Sequence, residues 1–271
     1  MTVELLRHGD AVVGYHPGSD LDRLRSPRPY LTATSSSGMP VTQEAPDDHP
    51  HHLGLSAALP DVDGTSFWGG RTYVRDRGST LLDNHGAQGV RQREVRDGAV
   101  FEQLVWLDRH GEALLEEERT ITVRGADENV EISWTTRLTA VADTVTFGSP
   151  QTNGREGAFY GGLFWRTPFR SALVRTADGD GLGAAHGSTS PLLAVDAAGA
   201  SLVAATASGM PWFVRVEGYV GFGPAVAVTH RRRLEQGESL RLDLAVAILD
   251  GAPTSPDEVA ARLLADVRDP V

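Results

Sequence analysis

Val130-Glu131-Ile132-Ser133-Trp134-Thr135-Thr136-Arg137-Leu138 changes face at every residue. Side chains along a strand point alternately to its two faces. Val130, Ile132, Trp134, Thr136 and Leu138 therefore share one face, and Glu131, Ser133, Thr135 and Arg137 the other, the pattern of a half-buried strand. Residues 241–249 repeat it, with Leu242, Leu244, Val246 and Ile248 opposite Arg241 and Asp243. Shorter stretches of the same kind are 101–107, 119–124, 143–148, 171–176, 201–206 and 212–217. Turn signals separate them: Asp97-Gly98, Arg109-His110-Gly111, Ala126-Asp127-Glu128-Asn129 and Glu235-Gln236-Gly237-Glu238. Many strands at this spacing predict an all-β fold, a large antiparallel β-sandwich formed by residues 1–271 as one domain.

One helix is expected, at about 255–268. Ser255-Pro256-Asp257-Glu258 supplies a capping hydroxyl, a proline in the first turn and acids beside it. Val259, Leu263, Leu264 and Val267 then recur at helical spacing, an apolar stripe suited to covering a sheet.

Composition narrows the chemistry. The 271 residues include no cysteine, which excludes disulfides, thiolate nucleophiles and thiolate-bound metals. Lysine is also absent, since all 25 basic residues are arginine, so lysine Schiff bases and the usual P-loop are excluded. A net charge of −11 argues against a nucleic-acid partner, because binding phosphate needs a basic face. The short run Arg231-Arg232-Arg233 reads as a solvated strand edge, and Glu116-Glu117-Glu118 as a solvated strand end. No apolar run reaches the length of a membrane span, and Met1–Asp10 lacks a secretory pattern, so the expected compartment is the cytoplasm.

Three long segments, 25–60, 149–170 and 177–191, are rich in Pro, Gly and Ser and read as irregular. The first contains Asp48-His49-Pro50-His51-His52-Leu53-Gly54-Leu55, which places three of nine histidines within four positions. Imidazole transfers protons near neutral pH and is the commonest metal ligand. Pro50 favours a rigid, extended backbone, in which His49 and His51 would share a face and His52 would point the other way. Asp48, His49, His51 and His52, with His85 at a distance, are the candidate acid/base residues. A divalent metal held by His49 and His51, with His85 or His186 as third ligand, is an open alternative, although no His-Glu-X-X-His pattern is present.

Two further segments place aromatic and polar groups together. They are Phe67-Trp68-Gly69-Gly70-Arg71-Thr72-Tyr73, followed by Asp83-Asn84-His85-Gly86, and Gly157 to Pro168. Aromatic rings beside Arg, Asp and His make a wall on which a sugar ring stacks while polar groups hold its hydroxyls. Trp68, Arg71, Asn84, Tyr160, Trp165 and Arg166 are the candidate substrate-binding residues. Core packing of Trp68 and Trp165 is the competing reading.

Arg28-Pro29-Tyr30-Leu31, the 48–55 block, Asp63-Gly64-Thr65-Ser66-Phe67-Trp68-Gly69 and Gly161-Gly162-Leu163-Phe164-Trp165-Arg166 together resemble the bacterial DUF6807 family. The match covers about residues 26 to 250, and the Asp-His-Pro-His-His block is its most specific part. The resemblance implies a sandwich similar to the galactose-mutarotase-like supersandwich and an association with sugar catabolism. It carries Asp48, His49, His51, His52, Trp68, Asn84, His85 and Arg166 as motif positions. The family is often labelled a methane oxygenase, a membrane copper chemistry for which this chain offers no span.

The leading expectation is a carbohydrate-active enzyme acting on a sugar or oxidised (keto) glycoside by epimerisation, elimination or hydrolysis. The alternatives are a sugar-binding or sensing module without catalysis and, ranked last, a histidine-ligated metal oxygenase. In each case the partner is a small molecule.

Overall fold

A computed structural model describes residues 2–126 and 129–268. Residues 130–138 lie in the strand Asn129–Ala140, which runs antiparallel between Ala113–Ala126 and Ser239–Leu249. The register sets Val130 opposite Ile248, Ile132 opposite Val246, Trp134 opposite Leu244 and Leu138 opposite Leu240. All of these side chains are buried, and each fully buried large aliphatic contributes roughly 1.5–3 kcal/mol.

Among the described residues the two large sheets have nine and seven strands. The nine-stranded sheet runs in the order Gly179–Asp180, Leu173–Thr176, Leu192–Ala197, Ala200–Ala205, Ser239–Leu249, Asn129–Ala140, Ala113–Ala126, Ala99–Leu107 and Ala87–Arg96. The seven-stranded sheet runs Val3–His8, Ala11–His16, Tyr30–Ala33, Leu55–Ala58, Gly162–Arg166, Gly221–Pro224 and Trp212–Arg215. Every strand pairing within them is antiparallel. One core, containing Trp106, Trp134, Trp165, Trp212 and Phe222, draws side chains from both sheets. The molecule is a large antiparallel β-sandwich. No described helix is long and apolar enough to cross a membrane.

Each shorter alternating stretch falls on a strand, but 119–124 belongs to the longer Ala113–Ala126. The acidic run before it continues the strand instead of ending it in solvent. Glu117 faces the core and accepts hydrogen bonds from Trp106 Nε1 at 2.6 Å, from Arg119 at 2.8 Å and from the Thr136 hydroxyl. A buried carboxylate is tolerable only with such donors, and here period two turns it inward between two outward-facing glutamates. In the arginine run, Arg231 pairs with both Asp61 oxygens at 2.7 and 2.9 Å, while Arg232 and Arg233 lie exposed on the strand Arg232–Glu235. The tip of the expected Ala126–Asn129 turn, Asp127-Glu128, lies outside the described residues.

The C-terminal helix is Pro256–Arg268. Its Ala260, Leu263 and Val267 cover Leu192, Val203, Ala205, Ala245 and Ala247 on the outer face of the nine-stranded sheet. Glu131, on the polar face of the opening strand, is thereby buried at 3% exposure and paired with Arg262 at 2.6 Å.

Tyr30–Ala33, Leu55–Ala58 and Gly162–Arg166 of the seven-stranded sheet arise inside the segments read as irregular, and Gly221–Pro224 lies outside them. Leu55–Ala58, Gly162–Arg166 and Gly221–Pro224 are buried at every position. One face of this sheet joins the main core. The other carries a second apolar cluster: Ala58, Trp68, Phe159, Phe164, Phe213, Tyr219 and Ala225. A strand covered on both faces loses the alternation that marks a half-solvated one.

Candidate functional site

The second apolar cluster walls a cleft of about 600 Å³. Period two decides what reaches it. In Gly162–Arg166, Leu163 and Trp165 point to the main core, so Phe164 and Arg166 take the opposite face. In Trp212–Arg215, Trp212 and Val214 join the core while Phe213 and Arg215 face the cleft. Trp68, Tyr160, Phe213 and Tyr219 form an aromatic wall: Trp68 lies 4.4 Å from Tyr160 and Tyr160 5.5 Å from Phe213, between ring centres.

The histidine block is folded into turns, contrary to the extended segment expected. His49 N–H donates to Pro46 O and His52 N–H donates to His49 O, each at 2.9 Å. Pro50 sits second in the latter turn, where its fixed φ is favourable. The turn removes the two-face alternation and brings all three rings together. His49 and His52 are 4.6 Å apart, His51 and His52 4.8 Å, and His49 and His51 5.7 Å. All three line the cleft with Asp48.

Their environments differ. His49 Nδ1 donates to Asp48 Oδ2 at 2.8 Å, which in the neutral ring leaves Nε2 as an acceptor. The hydrogen bond from His49 holds the Asp48 carboxyl below its ordinary range, helped by the Arg166 charge, whose Nη2 lies 3.5 Å from Asp48 Oδ1. His51 is pushed down to about 3 by burial, then by the charge of Arg28. His52 is held well below the ordinary imidazole range, again by burial first. Arg166 is itself fixed by Gln43 at 3.0 Å, by His52 at 3.3 Å and by the Tyr219 ring, 3.9 Å from its guanidinium carbon. One imidazole is thus paired with a carboxylate, and two are kept uncharged.

A rigid layer lies behind these rings. Arg28 is buried and donates to the carbonyls of Arg25, Ser26 and His51, at 2.7, 3.0 and 2.8 Å, and to Ser56 Oγ. Burial lowers its guanidinium to about 9. Gly69 and Gly70, at φ +92° and +69°, carry the chain over His51. A Cβ on Gly70 would stand 2.6 Å from the His51 ring. His85 lies beneath, with Nε2 donating to Gly70 O at 2.7 Å.

The structure brings together most of the residues singled out from the sequence, but not all. Asp48, His49, His51, His52, Trp68, Arg71 and Tyr160 line the cleft, and the buried Arg166 touches Asp48 and His52 from behind it. Trp165 is corrected to a core residue: it is fully buried, donates to Val41 O at 2.8 Å and stacks on Phe222. Asn84 ties Gly64 O to the Thr72 hydroxyl and is not a wall of the cleft. His85 supports Gly70 without lining the cleft. His186 lines it, but Nδ1 accepts from Val214 N–H and Nε2 donates to Gly157 O, so both nitrogens are committed to backbone. Among the described residues no three His, Asp or Glu side chains form a metal-holding group. Of the distant histidines in the expected sets, His186 has both nitrogens bonded to backbone and His85 has Nε2 bonded to Gly70 O.

Tyr219, Phe213, Arg155 and Arg215 line the cleft and were not anticipated. Phe213 and Arg215 were legible in principle, since they alternate with Trp212 and Val214 in a stretch already read as a strand. Tyr219 and Arg155 lie in loops and carry no periodic signal.

A family model described as a family of unknown function, DUF6807, matches residues 2–264. No curated protein matches the sequence. Among solved structures, the chain is similar to a GH36 α-galactosidase of Geobacillus stearothermophilus in complex with 1-deoxygalactonojirimycin, at 12% identity and TM-score 0.45, covering 93% of this chain and 41% of that one. It is similar to a mutant heparan sulfate lyase, HepC, of Pedobacter heparinus, at 8% identity and TM-score 0.44, covering 90% and 34%. It is also similar to the Slr1438 protein of Synechocystis, at 11% identity and TM-score 0.46, covering 92% and 96%. The chain therefore spans about two fifths of the galactosidase.

Proposed function

The chain belongs to the DUF6807 family, and we propose that it is a carbohydrate-active enzyme in which His49, oriented by Asp48, moves a proton on a sugar or keto glycoside. The observation that carries this reading is the 2.8 Å Asp48–His49 bond at a cleft walled by Trp68, Tyr160, Phe213 and Tyr219. The carboxylate sets the ring so that Nε2 is free to act as a base. The aromatic wall offers faces for the C–H surface of a pyranose.

Proton removal from carbon suits these groups best. His49 Nε2 takes a proton from a C–H next to a carbonyl, and the bond's electron pair moves toward the carbonyl oxygen. A neutral imidazole N–H, from His52 or His51, donates to that oxygen without first surrendering a proton to water. Protonation of the opposite face by a second acid, with His49 keeping the proton it took, gives epimerisation, and expelling the substituent on the next carbon with its bonding electron pair gives elimination. Hydrolysis ranks below both, because it calls for a matched pair of carboxyl groups flanking the glycosidic bond.

Incubation of native and keto glycosides with the protein in D₂O, followed by proton NMR, tests this reading. Loss of one C–H signal, abolished in His49→Asn, supports it. Binding of a sugar with no exchange or turnover in any member of the panel would favour the non-catalytic sugar-binding module, for which the aromatic wall alone suffices.

A further inference from the structure

Resting on that reading of the cleft, we propose that its substrate is an anionic saccharide bearing a carboxylate, such as a uronic acid unit. Arg71, Arg155 and Arg215 line the cleft, and the buried Arg166 stands behind it against Asp48 and His52. Facing these four guanidiniums are two carboxylates, Asp48 and Glu156. Asp48 is already engaged by His49 and Arg166. His51 and His52 add no charge, since burial keeps them neutral. The cleft is therefore locally positive on a chain whose net charge is −11, and such a reversal draws anions to one place on a surface that otherwise repels them.

The arginines are also available. Several exposed arginines elsewhere are neutralised by neighbours, Arg7 by Glu4, Arg91 by Glu116, Arg96 by Glu94 and Arg233 by Glu235, while others scattered over the surface, such as Arg77, Arg137 and Arg232, have no ion pair among the described residues. Arg71, Arg155 and Arg215 have no such ion pair among the described residues. Arg71 commits one nitrogen to Ser79 O at 3.3 Å, and Arg215 commits Nε to Glu217 O at 3.1 Å while its guanidinium lies over Tyr219. Each keeps N–H groups for the two-pronged grip that guanidinium makes on carboxylate.

The assignment also fits the chemistry at His49. Pairing a carboxylate with guanidinium withdraws its charge and makes the C–H beside it easier to ionise. His49 would take that proton, and the electron pair would settle on the carboxylate oxygens held by the arginines.

Matched methyl glycosides and methyl uronides of gluco, galacto and manno configuration, with a sulfated glycoside of equal charge, are titrated against the protein by calorimetry. At least one uronide should bind about tenfold more tightly than its neutral twin, the scale of one charge-assisted contact. The preference should shrink between about 0.1 M and about 1 M salt, as the screening length falls from about 10 Å to about 3 Å. Arg155→Gln with Arg215→Gln should abolish it. Arg91→Gln, which changes net charge far from the cleft, should not. Equal or tighter binding of the neutral twins overturns the anionic assignment and leaves the carbohydrate reading standing. Tighter binding of the sulfated sugar overturns the carboxylate assignment, and no binding in any series overturns both readings. The wild-type comparison and its salt dependence decide the matter even if the arginine variants fail to fold.

Discussion

Arg166 Nη1 lies 3.3 Å from His52 Nδ1. A guanidinium donates hydrogen bonds and accepts none, so Nδ1 of His52 is the acceptor and the ring proton sits on Nε2. The same guanidinium lies 3.5 Å from Asp48, whose other oxygen accepts from His49 Nδ1. Arg166 thus stands between two imidazoles with opposite tautomers. His52 offers a donor at Nε2, and neutral His49 offers an acceptor at the same atom.

Because that contrast depends on Asp48, Asp48→Asn should lower kcat by about 10²–10⁴, the range of a lost general base. His49→Asn should do the same. Both residues lie on a partly exposed turn, so thermal melts should stay near those of the parent. A large fall in melting temperature with unchanged kcat per folded molecule would sink the assignment.

Acid should destabilise the fold before carboxylates titrate. His51 at about 3, and His52 well below its ordinary range, refuse protons that an unfolded imidazole binds near pH ~6.5. The unfolded state therefore binds more protons as pH falls from about 6.5 to about 5, and stability drops with it. The slope is at most about 1.4 kcal/mol per pH unit for each histidine. Half-buried His16 and His186, shifted in the same direction, add to it. Urea midpoints measured across this window should show the decline, and His51→Asn should flatten it; an unaltered slope would place His51 outside the effect.

Gly70→Ala should cost about 1–3 kcal/mol and displace His51, since φ is +69° and the new Cβ would stand 2.6 Å from the ring. Gly78→Ala is the control: φ there is +71°, and a methyl group at that position would meet nothing within 4 Å. Both variants carry backbone strain. Only Gly70→Ala should also lose turnover, and equal losses in the two would remove the His51 contact as the cause.

The two tryptophans, both buried, should differ in their effect on binding. Trp165→Phe removes the 2.8 Å bond to Val41 O from the main core, and should cost about 2 kcal/mol while leaving KM unchanged. Trp68→Ala should raise KM several-fold, because this ring faces the cleft. Denaturant midpoints and steady-state kinetics on both variants check the contrast, and a KM effect at Trp165 would contradict its burial.

The centre of the nine-stranded sheet was readable because Val130 to Leu138 and Leu242 to Ile248 alternate large apolar residues with polar or small ones, a pattern that survives although the C-terminal helix covers part of their outer face. The seven-stranded sheet was not. Leu55–Ala58 and Gly162–Arg166 are buried on both faces, and glycine-rich flanks disguised them as loops. Proximity in sequence identified Asp48, His49, His51 and His52 as a group, but it misjudged their geometry. Two successive hydrogen-bonded turns replaced the extended backbone that Pro50 suggested.

Residue types and their local order determined by themselves an antiparallel β-sandwich, a C-terminal helix at its caps and a chemistry without thiol or lysine. These follow from short-range periodicity, capping and composition, which need no knowledge of distant neighbours. Only the tertiary structure decided that Trp165 is core while Arg166 reaches the site, that His51 and His52 are neutral, and that Tyr219, Phe213, Arg155 and Arg215 join them. Arg166 meets Asp48 and His52 across more than a hundred positions of chain, and such encounters exist only once Leu55–Ala58, Gly162–Arg166, Gly221–Pro224 and Trp212–Arg215 have paired in one sheet.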